Sequence, residues 1–226
     1  MFILLLLGIL IAIIFLPQWW AKSTFERYSI SQDHIPGSGA ELARHLLNRF
    51  EMPHVAVEVT EEGDHYDPEA KAVRLSPKNY HDNSLTAVAV AAHEVGHAIQ
   101  DNRHETKLAL RTALVKLADK SSKIGSVMIM IMPVAVLLTR SPAAGFFFFA
   151  AGLLSIAGAA IVHLITLPVE WDASFGKALP ILKADYIRDE DVPAVEQILK
   201  AAALTYVSVA LLSILNVWRW VALLRR

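Results

Sequence analysis

The sequence predicts a predominantly α-helical, polytopic membrane protein with about four transmembrane helices and one small α+β polar unit containing a short β-hairpin. Three observations predict it. Of the 226 residues, 54% are hydrophobic and only 19% charged. The apolar residues are bunched into long runs instead of being spread at core spacing. Between the first and second runs lies a polar stretch with one alternating strand pattern and one strongly apolar helix. A chain this apolar is not disordered. Without cysteine it has no disulfide, no thiolate nucleophile and no Cys-ligated metal. With 21 Lys and Arg against 22 Asp and Glu, it carries no field that would gather a polyanion, so no nucleic-acid partner is expected.

The first run, MFILLLLGILIAIIFL, is uncharged and is followed by Pro17, Gln18, Trp19 and Trp20. With the tryptophans it approaches the roughly 20 residues that cross a bilayer. No basic residue precedes it, as one would in a secretory signal, and paired tryptophans suit an interfacial belt. The expectation is an uncleaved anchor over 1–20. Further runs cover Ile124 to Thr139 and Ala143 to Leu167, separated by little more than TRSP, which makes a tight transmembrane hairpin over 123–168. Gly145, Gly152, Ser155, Gly158 and Ala159 in the third run are small enough to let helices approach closely. A fourth span is expected over 201–226, with Trp218 and Trp220 near its end and Arg219 snorkelling to the interface. Four crossings leave two polar regions, 21–122 and 169–200, on one face and both termini on the other. Lys and Arg before the second span, Arg103 to Lys123, favour the cytoplasmic face of the cell membrane for the polar regions. The terminal Arg225–Arg226 pair pulls the other way.

Within 21–122, Ser38 is placed to cap a helix from Ala40 to Phe50, with Leu42, Leu46 and Leu47 on one face and Pro53 beyond its end. HVAVEVT alternates as a strand, EEGD signals a turn, and KAVRLS reads as the return strand of a hairpin. A helix starts near Asn83 or Ser84 and runs past Gln100. It contains His93-Glu94-Val95-Gly96-His97, the H-E-x-x-H pattern. At 3.6 residues per turn, positions i and i+4 share a face, so both imidazoles can reach one ion. Zn²⁺ takes nitrogen and oxygen donors and brings a bound water to a pKa of about 7, and Glu94 is placed to accept that water's proton. The flanks are Val88 to Ala92, Val95, Ala98 and Ile99, a setting in which two unpaired His and a Glu would be expensive to bury. Gly96 costs a helix about 1 kcal/mol relative to Ala, which a close approach of other chain there would offset.

A catalytic zinc needs a third protein ligand and an open position, and here His, Asp or Glu must provide the ligand. The best candidate is Glu170 in LPVEWDASFGKAL, with Asp172 beside it. Pro168 ends the third span, and the hairpin returns this segment to the face of His93 and His97. No H-x-x-G-x-x-H continuation follows His97. Together, AAHEVGHAIQ, GDHYDPEAKAVRLSP and LPVEWDAS resemble the neutral zinc metallopeptidase family of bacterial membrane proteins, over nearly the whole chain. That family is similar in turn to the membrane gluzincins, among them the CAAX prenyl endopeptidases and the heat-shock-associated membrane proteases. The resemblance implies a zincin-like catalytic region, one Zn²⁺ per chain on His93, His97 and Glu170, and Glu94 as general base. In the wider clan an E-x-x-A-D arrangement places an Asp four residues after the ligand Glu. Here Ser174 stands in that place after Ala173, so support of a ligand from behind falls to the Ser174 hydroxyl or to Asp172.

Other candidates carry less. His65, Tyr66 and Tyr80 are candidate oxyanion donors, each more simply read as a turn or surface residue. Asp64 and Asp67 fit turn chemistry, His81 and Asp82 fit capping, and His163 lies inside the third span. The strand Lys71 to Ser76 is a candidate edge for aligning an extended peptide. Three functions compete. The first is a membrane-embedded zinc endopeptidase acting on peptide or membrane-protein substrates near the bilayer surface. A non-proteolytic membrane scaffold or chaperone with structural zinc has no use for Glu94. A metal transporter lacks carboxylates in its spans.

Overall fold

The computed structural model describes residues 2–204, with side chains described except at 2–14, 156, 159, 160, 163 and 164. The expected fourth span, which continues to residue 226, therefore falls outside the described residues beyond 204, as does the side chain of His163. What is described is predominantly helical with one small sheet. The chain divides into two compact units: Met1–Gln18 with Leu110–Leu167, and Trp19–Ala109 with Pro168–Thr205.

The first unit contains the start of α1 (Phe2–Arg27), most of α5 (Thr106–Thr139) and α6 (Pro142–Ile165). Among the described residues, one helix, α5, is long and apolar enough to cross a bilayer; the apolar stretch Pro142–Ser155 of α6 is shorter. Four spans were expected, and the described residues supply one of that length. The lysine-rich stretch before the second apolar run joins it in a single 34-residue helix. Arg140, at φ 51°, turns the chain into α6. The small residues of α6 do bring helices together: a methyl built on Gly152 would lie 2.7 Å from the Gly125 carbonyl oxygen. At Gly158, by contrast, nothing lies within 4 Å.

The second unit is built around α4 (Leu85–Asn102), whose residues Leu85 to Gln100 are all buried. Ser84 caps it by accepting from the Ala87 N–H at 3.2 Å. α2 (Gly39–Arg49) packs Leu42, Leu46 and Leu47 into the same core and starts with a reciprocal cap. The Ser38 hydroxyl accepts from Glu41 N, and the Glu41 carboxylate accepts from Ser38 N.

The sheet corrects the expected hairpin. β1 (Ala56–Val59), β2 (His65–Asp67) and β3 (Ala72–Leu75) lie in the order β1-β3-β2. β3 runs parallel to β1, with Glu58 opposite Arg74, and antiparallel to β2. The EEGD turn, with Gly63 at φ 90°, therefore leads into β2 and not into the return strand. The hairpin is β2–β3, closed by the Asp67 carboxylate, which accepts from the N–H groups of Glu69 (2.9 Å) and Ala70 (3.1 Å). Arg74, on the central strand, ties the three together through Glu58 at 3.0 Å and Asp67 at 2.7 Å. Lys71 to Ser76 is thus not an edge. Both sides of β3 are paired, and it has no free hydrogen-bonding row for a peptide.

After α3 (Pro77–His81), α4 and the two helices already named, the chain re-enters the second unit at α7 (Leu167–Trp171). Pro168 occupies its first turn, where a missing N–H costs nothing. A π-helical turn, Asp172–Ala178, continues it into α8 (Leu179–Asp185), and Leu179 N donates five residues back to Ser174 O. A 3₁₀ turn (Asp189–Asp191) then leads to a last described helix, α9, over 192–204.

Candidate metal centre

His93, Glu94 and His97 project from the middle of α4, and all three are buried. One ligand atom from each lies within 4.8 Å of the others, and the two imidazole centroids are 4.8 Å apart. The 3.6-residue period puts His93 and His97 on one face, as their spacing requires. That face meets α7 and the π-helical turn. At Gly96 the contact is backbone to helix: a methyl there would lie 2.7 Å from the Ala173 carbonyl oxygen. Glycine is what lets the two segments approach this closely.

The approach carries Glu170 into the centre. Its Oε2 lies 3.0 Å from His97 Nε2 and 3.5 Å from His93 Nε2, and its side chain is 0% exposed. The sequence-derived candidates His93, His97 and Glu170, from two separate stretches, are therefore in contact, with Glu94 on the same helix turn.

Two further contacts hold the rings from behind. The Ser174 hydroxyl lies 2.9 Å from His93 Nδ1 and 3.0 Å from the Leu199 carbonyl of α9. A carbonyl can only accept, so the hydroxyl proton goes to Leu199 and the serine oxygen accepts from Nδ1–H. Asp172 does not touch either imidazole. It pairs with Lys177 and accepts from Gln100 Nε2 at 2.8 Å. Burial by itself would raise the Asp172 carboxyl. Hydrogen bonds from Lys177 and Gln100, with the charges of Lys177 and Lys107, outweigh that and hold it below the usual carboxylate range. Gln100, which accepts from His97 Nδ1 at 2.9 Å, and Lys177 were not among the sequence candidates. Gln100 was open to inference: it is the one polar residue of GHAIQ after the histidine, at the i+3 spacing where helix side chains meet.

The remaining sequence candidates are not at this centre. Tyr66 donates to the Asp101 carboxylate at 2.6 Å, where Lys71 also pairs at 2.6 Å. Burial, with that carboxylate, pushes its phenol far above the usual value. His65 Nδ1 bonds the Gly63 carbonyl at 2.8 Å, and Tyr80 stacks edge-on against His81. Asp64 does not close a local turn as expected: it accepts from Ser76 and from Asn79, 12 and 15 residues further on, and so ties the start of β2 to the start of α3.

The donor set fits a divalent ion. Two carboxylates and two imidazoles share this buried pocket, and carboxylates gathered out of water are costly without a compensating cation. Two imidazole nitrogens and a carboxylate oxygen are donors that zinc accepts. The family described as "putative neutral zinc metallopeptidase" matches residues 2–225. The chain belongs to this family. It is also similar to a Bacillus subtilis (strain 168) protein named "putative membrane protease YugP", 35% identical over 209 residues, 92% of this chain and 89% of the relative. No solved structure matches the chain. Membership in the zinc metallopeptidase family agrees with the resemblance read from the motifs and with the donor set.

Proposed function

We propose that this family member is a membrane-embedded zinc endopeptidase that hydrolyses peptide bonds near the bilayer surface. His93, His97 and Glu170 hold one Zn²⁺ per chain in this reading. The observation that carries it is the convergence of both Nε2 atoms on one buried Glu170 oxygen, with a second buried carboxylate, Glu94, beside them. When bound, zinc supplies Lewis-acid polarisation of the scissile carbonyl and acidifies a water. Glu94 accepts the proton of the attacking water and delivers it to the departing amide nitrogen; the new carboxyl group gives up its own proton to the amine, so that water adds across the C–N bond and leaves a carboxylate and an ammonium. Ser174 keeps His93 oriented throughout by accepting from its Nδ1–H.

The membrane setting is supported by α5, by the apolar runs at either end of the chain and by the name of the Bacillus relative. We place the catalytic unit on the cytoplasmic face of the cell membrane, with four spans and a peptide or membrane-protein substrate. The test is Glu94→Gln, purified in detergent and assayed on an unstructured polypeptide. Zinc content should match the parent while cleavage disappears. Cleavage that persists at the parent rate would remove Glu94 from the reaction.

A further inference from the structure

We propose that Gln100 is a positioning residue for the zinc centre. It fixes which nitrogen of His97 faces the ion, and Asp172 and Lys177 hold it in place. The inference rests on the metal reading above and adds a residue and a relay to it.

Gln100 is 1% exposed and lies three residues beyond His97 on α4. Its carboxamide has partners on every side. Nε2 donates to the Val169 carbonyl at 3.1 Å and to Asp172 Oδ2 at 2.8 Å, while Oε1 faces His97 Nδ1 at 2.9 Å. Only one orientation of the amide is compatible with these neighbours. Turned over, it would set its oxygen against a carbonyl and a carboxylate, neither of which can donate. Two fixed acceptors therefore decide where the amide oxygen points. An amide oxygen can only accept, so the His97 proton sits on Nδ1. Nε2 is left for the central position that it shares with Glu170 Oε2, 3.0 Å away.

The acceptors are themselves anchored. Val169 precedes Glu170, so the same residue pair fixes Gln100 and presents the candidate ligand. Asp172 pairs with Lys177, whose ammonium lies 3.1 Å from Glu105 in the connection between α4 and α5. A chain of contacts thus runs from Lys177 through Asp172 and Gln100 to His97. A glutamine suits this place better than a carboxylate. It accepts from Nδ1–H without adding a third negative charge beside Glu94 and Glu170, and its two N–H groups answer acceptors that a carboxylate would repel.

The test measures zinc affinity by chelator competition for the parent, Gln100→Leu, and Gln100→Glu combined with Asp172→Asn. It also follows the His97 Nδ1–H resonance of each zinc-loaded protein in detergent by ¹H–¹⁵N NMR. Gln100→Leu should weaken zinc binding roughly 10- to 100-fold, the range typical of partners that orient metal-bound histidines. It should also expose the Nδ1–H to rapid exchange. The paired variant reverses donor and acceptor between positions 100 and 172 but keeps an acceptor at Nδ1. It should recover part of the affinity and the slow-exchanging proton, because it still sets one carboxylate oxygen against the Val169 carbonyl. Gln100→Leu binding zinc as tightly as the parent, or a paired variant no tighter than Gln100→Leu, would overturn the proposal. If Gln100→Leu does not accumulate as folded protein, the parent decides: Nδ1–H on His97 supports the relay, and zinc on Nδ1 overturns it. A parent that binds no zinc overturns the metal reading itself, a different result from a parent and Gln100→Leu that bind equally.

Discussion

Replacing Gly96 by alanine sets two effects of opposite sign against each other. Helix propensity alone predicts that Gly96→Ala stabilises α4 by about 1 kcal/mol. The packing predicts the reverse. The added methyl would sit 2.7 Å from the Ala173 carbonyl oxygen and 3.3 Å from its Cα, so about 0.7 Å more room is needed to reach an ordinary contact near 3.4 Å. The obstacle is backbone of the π-helical turn and cannot rotate away. Forcing a methylene into such packing costs about 1–3 kcal/mol, so the net change is a loss centred near 1 kcal/mol. For a chain of this size that lowers Tm by about 2–4 °C. The displacement also moves Glu170 away from both imidazoles and Ser174 away from His93, because both lie beside Ala173 on the segment that must shift. Zinc affinity should therefore fall further than stability does. Thermal unfolding followed by circular dichroism, with and without zinc, and a chelator titration read both quantities. A Gly96→Ala protein with a higher Tm and the parent's zinc affinity would refute the close-approach reasoning.

Asp67 gives a pH-dependent expectation. Its carboxyl is lowered chiefly by the Ala70 N–H, then by the Glu69 N–H and by Arg74, against the opposing effect of burial. A depressed acid contributes stability above its unfolded pKa, near the ordinary carboxylate value, and loses it as pH falls through the lower folded value. The Tm difference between parent and Asp67→Asn should be full at pH 7 and shrink below about pH 4; a difference that grows on acidification would contradict it. Zinc at a hundred times its Kd adds about 2.7 kcal/mol to the folded state. Glu94→Gln should therefore show the parent's zinc-dependent rise in Tm, and no rise would place Glu94 among the groups that hold the ion.

Much of the second unit was legible in local sequence because its signals are local. Ser38 with Glu41 and Ser84 before an apolar run are N-terminal caps whose chemistry is complete within four residues. The i, i+4 histidines needed only helix geometry. The contact of Glu170 with them is a long-range fact that the sequence indicated only through chain topology and a resemblance.

The sheet shows where such reading stops. Period-2 alternation marks Val55, Val57 and Val59 as strand but carries no information on partner or direction. The inserted strand His65–Asp67 is too short to show a period at all, so the chain from β1 was read as turning directly into β3. The π-helical turn is likewise invisible locally, since one extra residue per turn leaves the spacing of the buried residues Ala173, Lys177 and Ala178 close to helical. The i+3 spacing of Gln100 from His97 is local, but its role depends also on Val169 and Asp172, which come from a distant stretch of chain.

In the proposed reading, residues from two distant stretches of chain hold one zinc ion. Metal content per chain, measured by elemental analysis on the parent and Glu170→Ala proteins purified side by side, tests this most directly. The parent should carry about one zinc, and Glu170→Ala, reduced to two imidazoles, should lose most of it while keeping its helical circular dichroism. A Glu170→Ala protein that retains the parent's zinc at the parent's affinity would contradict the claim.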